Sequence, residues 1–402
     1  MSAVSGLLTL ADVTSGEEWV SEYQETILVR NSKGLNAGTT LFGLMAKLKS
    51  DDAETTEYKW FERDPVTREV YSSNTVASAV TTTGFNFDDG AGNAVFGLLQ
   101  VGTILRNDNT GEHVRITAYS DPNYTLERGF DGTAANVTDN DLWVIITLGK
   151  DEGATPVEAV FESADALYNY IQTFNSTVEL SNAFKGSKLR TDIDGPLKER
   201  RVQALERIAR DIELAYFLGT RARKSGTNGH LYFTGGIKDA VDQITASPAQ
   251  VLNGQGSTGI AWQTLSDWLA SFMTVGSDAK LFLAGPATYA MFSTFANEAR
   301  NGFRITGQEN VYGMNITVIN TPFGELDLAM HPLFKEITSL NDWGFVVDLG
   351  LIVQKVMEKL FLEKNIQQPG QDSYKEQFRA KYGLKLKFAE AFGYCYDLSK
   401  LT

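Results

Sequence analysis

The chain has 402 residues, with 36 Lys+Arg against 50 Asp+Glu, a formal net charge of −14, and 43% hydrophobic residues. That balance fits a globular protein of two or three domains and excludes a disordered, collagen-like or coiled-coil chain. The acidic excess excludes a simple nucleic-acid binder, which needs basic surface to neutralise phosphate.

The N-terminal sequence MSAVSGLLTLADVTSGEEW lacks the basic start and apolar length of a signal peptide. The longest clean apolar run, Leu142–Leu148, is interrupted only by Thr147 and is strand-sized, well short of the roughly 18 residues of a membrane span. A soluble intracellular protein is expected, with no membrane partner. The lone Cys395 lies between Tyr394 and Tyr396. It excludes an intrachain disulfide and a thiolate metal site, fits a reducing compartment, and reads as a small core residue.

Residues 1–40 lack periodicity, and Asn31–Thr40 is rich in Gly, Asn, Ser and Thr, which reads as an extended arm. A short helical stretch from Leu41 leads into an expected hairpin. Glu57–Glu62 carries Tyr58, Trp60 and Phe61, Asp64-Pro65 supplies the turn, and Val70 and Tyr71 begin the return. Residues 75–148 read as all-β. Strands are expected at Thr103–Arg106, His113–Tyr119, Tyr124–Arg128 and Leu142–Leu148, set apart by Asn/Asp/Gly turns.

The pattern changes at Lys150. Phe161, Ala164, Leu167 or Tyr168, and Ile171 predict a helix over 156–178. The clearest helix follows, from Pro196 to Leu218, with Pro at its first position and a stripe at Leu205, Ile208, Ile212, Ala215 and Gly219. Glu206 and Arg210 form an expected i, i+4 pair. Beyond it, helices around Trp262–Phe272 and Tyr289–Ala299 alternate with strands at Lys280–Ala284, Asn315–Asn320, Leu326–Met330 and Phe345–Val347. The stretch Lys385–Tyr396 is also strand-like.

Candidate chemistry is sparse. His113, His230 and His331 are scattered and without a metal-ligand pattern. Gly254-Gln255-Gly256-Ser257-Thr258-Gly259 matches G-x-G-x-x-G but lacks the preceding buried parallel strand and a well-placed acid. It reads as a loop ending in a Ser/Thr helix cap. Asp88-Asp89-Gly90 and Asn107-Asp108-Asn109 read as turns, because neither continues into a calcium loop closed by Glu. The basic run Lys185, Lys188, Arg190, Lys198, Arg200 and Arg201 reads as a solvated helix start paired with Asp192, Asp194 and Glu199; DNA or partner contact is the minor alternative. Tyr58, Trp60 and Phe61 on a charged hairpin either pack locally or dock on another subunit. No catalytic, cofactor or metal residue is assigned.

The order of these segments resembles the tailed-bacteriophage major capsid proteins of the Johnson fold, in the subfamily with a β-rich insertion before the long helix. Matching stretches are Tyr58-Lys59-Trp60, Leu126-Glu127-Arg128-Gly129-Phe130-Asp131-Gly132-Thr133, and Asp211-Ile212-Glu213. Tyr312-Gly313-Met314, Thr321-Pro322-Phe323-Gly324 and Val347-Asp348-Leu349 also match. The resemblance runs from about residue 40 onward. It implies an α+β fold with an N-terminal arm (1–40), an E-loop hairpin with β-rich insertion (41–150), and a peripheral domain (151–236) with its spine helix at 196–218. An axial domain (237–360) and a return to the peripheral domain (361–402) complete it.

The implied function is self-assembly, as hexamers and pentamers, into an icosahedral shell around double-stranded DNA held without sequence specificity. The acidic charge suits a shell that does not trap its genome. Implied partners are copies of the chain and scaffolding, portal and decoration proteins, with assembly in the host bacterial cytoplasm and residence in the virion. Tyr58, Trp60 and Phe61 would make intersubunit contacts. Proteolytic trimming is not expected, which leaves scaffolding to a separate protein or to none. Some relatives crosslink Lys and Asn side chains, but no motif here supports it. Two alternatives stand beside this reading: a hydrolase built on two carboxylates of perturbed pKa in a cleft, and a β-rich tail or surface-binding protein.

Overall fold

The computed structural model describes residues 49–63, 68–75, 81–90, 95, 99–120, 122–129, 132, 134–150, 152, 164–186, 196–227, 229–245, 248–255, 259–297, 304–311 and 314–398. The expected arm at 1–40 and the Asp64-Pro65 turn lie outside them. The chain forms two compact units: Phe61–Leu167, and the remainder on either side of it.

Among the described residues the inserted unit is antiparallel β. Its strands, among the described residues, lie in the order Thr81–Phe85, Asn123–Glu127, His113–Ser120, Thr103–Asn107, Leu142–Leu148, Glu69–Ser72 and Phe87–Asp88. The two outermost strands are separated in sequence by Asn86 alone. The sheet must therefore curl until its edges meet, which leaves few edge groups unpaired. Inside, Phe87 meets Trp143 edge-on at 6.0 Å and Tyr124 at 5.6 Å, with Val70, Leu105, Val114, Ile116 and Leu126 filling the core. Arg128, in the stretch Leu126–Thr133, is buried on Glu112 at 2.6 Å, and Glu112 also accepts the Gly129 and Ala135 N–H groups. The charge is thus paired and bonded from several sides, as burial requires.

Among the described residues, the two large sheets of the larger unit share one helix. In the first, the long strands Ile352–Lys364 and Ser373–Leu386 pair antiparallel, with Gln172–Ser181 on one side and Ser50–Asp52 on the other. In the second, seven strands run in the order Val251–Asn253, Gly393–Tyr396, Gly344–Val347, Ala279–Ala284, Gly324–Met330, Met314–Thr321 and Arg304–Val311. The helix Pro196–Leu218 packs on both. Strand periodicity divides the second sheet's faces. Leu281, Leu283, Phe345 and Val347 share a core with the long helix. Phe282, Ala284, Val346 and Leu328 point the other way, onto the helices Trp262–Met273 and Pro286–Asn297.

Three expectations are corrected. Residues 165–170 and 172–181 are strands, not part of a helix over 156–178. Phe174, Ser176, Val178 and Leu180 are buried alternately, a period of two that outweighs the helical spacing read from the aromatics. The chain leaves the second sheet at Asp348–Leu351, runs through the long strands, and returns after Phe388–Phe392, where Gly393–Tyr396 pairs with Gly344–Val347. The long helix has the expected bounds, but its buried stripe is Ala204, Ile208, Ile212 and Tyr216. Leu205 is 38% exposed. Arg210 pairs with Glu336 at 3.4 Å, not with Glu206.

Candidate functional site

Glu57–Glu62 does not fold back on Glu69–Ser72 as a hairpin. It pairs with Asp165–Tyr170, while Glu69–Ser72 joins the inserted sheet. The expected aromatic hairpin is therefore a ribbon of two strands far apart in sequence, at which the chain passes into and out of the insertion. A hairpin reading from Asp64-Pro65 could not anticipate this, because the pairing partner lies a hundred residues away.

The three singled-out aromatics have different surroundings. Tyr58 is buried in its own protomer. Its hydroxyl donates to the Leu384 carbonyl at 2.8 Å, and its ring crosses Gly383, where a Cβ would lie 2.8 Å from the hydroxyl oxygen. Burial, with Tyr216 nearby, pushes the Tyr58 hydroxyl well above its ordinary pKa. Trp60 is half-buried, stacked on Tyr58 at 6.0 Å with the Lys385 ammonium 5.6 Å from its ring. Phe61 is 72% exposed, the most exposed large apolar side chain among the described residues. Strand alternation produces the split: Tyr58 and Trp60 share one face and Phe61 the other. The face with Tyr58 and Trp60 is a local seat, so Phe61 alone is offered outward.

The sequence reading missed the polar joints beneath the ribbon. Asn169 donates to the Gly235 and Leu384 carbonyls at 3.0 and 2.8 Å and accepts the Gly235 N–H at 2.8 Å. Glu213 of the long helix bonds buried His331, the residue that follows the strand Gly324–Met330, at 2.8 Å. His331 is thus a core histidine, whereas His230 is exposed. Of the basic run, Arg201 reaches Glu376 through two bonds of 2.6 and 2.7 Å, and Lys185 lies 3.7 Å over the Tyr374 ring. Arg200 donates to Gln203 at 2.9 Å. Lys188, Arg190, Asp192 and Asp194 lie outside the described residues. Arg201 therefore meets the long-strand sheet, not the acids beside it in sequence.

The remaining sequence candidates are structural. Asp88 accepts the Gly90 N–H and Asn107 the Thr110 N–H, both at 2.8 Å, which is turn chemistry. The glycine-rich stretch contains Gly254, which packs against Asp397 and Leu398. The helix that follows has Ala261 at its N-cap with no side-chain cap bond, so the expected Ser/Thr cap is absent. Carboxylates with shifted titration are engaged in structural bonds. Burial opposes ionisation of Asp141, but bonds from Thr138 and Asn109 hold its carboxyl below the ordinary range. Burial raises Asp239, only partly offset by Arg221. These groups brace turns and helix ends, and among the described residues no cluster of His, Cys, Asp or Glu is placed to hold a metal ion.

The arrangement is that of a structural protein: an α+β body, a curled β insertion, and a connecting ribbon that offers an aromatic side chain outward. Residues 36–399 match the family model of the SU10 major capsid protein, and the chain belongs to that family. It is a major capsid protein. No curated protein matches it. Among solved structures, it is similar to one from Mycobacterium phage Bobi, at 10% identity and a TM-score of 0.47, covering 97% of this chain and 99% of that one. The structure from Microbacterium phage Oxtober96 shows 9% identity, a TM-score of 0.46 and the same coverage. The capsid of the native GTA particle shows 8% identity and a TM-score of 0.45, covering 97% of this chain and 99% of that one.

Proposed function

We propose that copies of this chain assemble as hexamers and pentamers of an icosahedral shell around double-stranded DNA, and that they do so as a Johnson fold. In this reading Pro196–Leu218 is the spine helix. The ribbon of Glu57–Glu62 and Asp165–Tyr170 is the E-loop, and Phe61–Leu167 contains the β-rich insertion. The shell is built in the host bacterial cytoplasm with scaffolding, portal and decoration proteins, and the chain performs no catalysis.

The observation that carries this reading is the ribbon. A strand that anchors Tyr58 in its own core while holding Phe61 at 72% exposure supplies a rigid base and an apolar tip. Repeated in every copy, a modest contact at that tip sums over the whole shell. Trp60 would support the contact from beneath, and Tyr58 only through the ribbon's rigidity. The test is size-exclusion chromatography with negative-stain microscopy of the chain, expressed alone and with phage scaffold and portal. Shells, rings or tubes are expected. A persistent monomer under both conditions would overturn the reading.

A further inference from the structure

After the long helix the chain forms a second ribbon, Ala222–Gly226 paired with Gly229–Phe233, and neither strand pairs with a third among the described residues. Opposed residues share a face. One face therefore carries Arg223, Tyr232, Ser225 and His230, and the other Ala222, Phe233, Lys224 and Leu231. Every side chain of the first face can donate a hydrogen bond, and none carries a negative charge. Arg223, Ser225 and His230 are exposed. The Tyr232 ring orders this face: Arg223 lies 5.7 Å from it and His230 6.2 Å, while Tyr170 holds it to the body at 5.4 Å. The root is fixed by Arg221, which covers Tyr168 at 4.2 Å and donates to the Tyr168 carbonyl and to Gln243, each at 2.8 Å.

The sequence accounts for the charge. Between Glu213 and Asp239 there is no Asp or Glu, against 50 in the whole chain, yet Arg221, Arg223, Lys224, His230 and Lys238 fall there. Cations elsewhere find carboxylates within their own chain: Lys238 pairs with Asp242 at 2.5 Å, and Lys375 with Glu179 at 3.1 Å. Among the described residues no carboxylate forms an ion pair with Arg223 or Lys224. Their counter-charge must come from outside the protomer. A guanidinium beside Ser and Tyr hydroxyls is the donor set that holds phosphate oxygens in protein–DNA contacts. A two-stranded ribbon also fits the major groove of duplex DNA, about 12 Å wide.

We propose that the 222–233 ribbon is where packaged double-stranded DNA touches this chain. Arg223 pairs with a backbone phosphate, Ser225, His230 and Tyr232 donate to oxygens beside it, and Lys224 supplies a second charge from the ribbon's other face. The contact reads no sequence, because phosphates carry none. With two cations per copy it is weak singly, so a shell of net charge −14 per chain still leaves its genome free to depart. The inference rests on the shell reading and puts the ribbon on the inner surface.

The test uses DNA-filled particles and empty shells of the full-length chain, made with phage packaging proteins. Both are irradiated with short-wave ultraviolet light, then digested with nuclease and trypsin. Nucleotide adducts are expected on the tryptic peptide Ser225–Lys238, which contains His230 and Tyr232, in filled particles and not in empty ones. Arg223→Gln should leave shell yield and circular dichroism unchanged and lower the adduct yield about fivefold. Arg223→Lys should keep most of it, since a phosphate accepts either cation. The proposal falls if filled wild-type particles carry no adduct on this peptide, or if Arg223→Gln leaves the adduct yield unchanged. It also falls if Arg223→Gln prevents shell formation, which would make the ribbon a contact between copies. A wild-type chain that forms no DNA-filled shell with its packaging partners overturns the shell reading and this one together, whereas filled shells without the adduct overturn this one alone.

Discussion

Arg201 and Glu376 tie the first half of the long helix to the strand Ser373–Leu386, and replacing Arg201 by Met tests how much that tie is worth. Arg201 Nε and Nη2 donate to the two Glu376 oxygens at 2.6 and 2.7 Å, and the Tyr374 hydroxyl adds a third bond at 3.0 Å. The Glu376 side chain is 0% exposed and that of Arg201 31%. Removing one member of a buried pair costs about 3–5 kcal/mol, because the other is left charged and under-bonded. Water reaches the Arg201 side, so the lower end, about 3 kcal/mol at pH 7, is expected. Adding Glu376→Gln should recover most of it by removing the stranded charge.

The pH dependence follows from the same contacts. Burial alone would raise the Glu376 pKa, but the bonds from Arg201 and Tyr374 outweigh it and hold the carboxyl below its ordinary range. A depressed carboxyl contributes stability that is fully present above the unfolded value of about 4.3 and is lost as pH falls through the folded value. The wild-type advantage over Arg201→Met should therefore be full at pH 7 and shrink below about pH 4. Urea unfolding of unassembled protein, followed by far-ultraviolet circular dichroism at pH 7 and at low pH, measures it. A penalty under about 0.5 kcal/mol at pH 7, or one that grows on acidification, would refute the reasoning.

Three further outcomes are expected. Ile212, fully buried between the long helix and the sheets, should not tolerate Asp: an unpaired buried carboxylate costs several kcal/mol, so Ile212→Asp should be insoluble, and soluble shells of normal size would contradict the packing. Phe61→Ser should leave the protomer's melting unchanged and sharply reduce shell yield in microscopy, whereas a lowered melting transition would place Phe61 in a local core. Cys395 is fully buried and its thiol is pushed well above the ordinary range, first by burial; it should resist a thiol reagent at pH 8 and react fully in denaturant.

Much of the architecture was legible wherever a periodic pattern met a turn or breaker within one segment. The long helix kept its expected bounds because Pro196 opens it and its apolar positions recur at three and four. Leu142–Leu148 kept its bounds as a strand-sized apolar run between polar ends. The strands 352–364 and 373–386, the longest among the described residues, were not singled out. Their solvent faces carry Glu358, Glu363, Arg379 and Lys381, which pair across strands at 3.2–3.6 Å and dilute the apolar alternation. The ribbon's aromatics were visible, but which of them faces outward was not.

By itself the sequence determined the class of protein and the identity of many helices and strands, because local periodicity and turn chemistry act over a few residues. The order of segments was enough to place it among the tailed-phage major capsid proteins. Only the tertiary structure decided that Glu57–Glu62 pairs with Asp165–Tyr170, that Arg201 meets Glu376 and not a neighbouring acid, and that Tyr58 is core while Phe61 is surface. Each of those depends on which distant strand arrives alongside. Period-two alternation says that two faces differ, but the face that is buried is chosen by the partner packed against it.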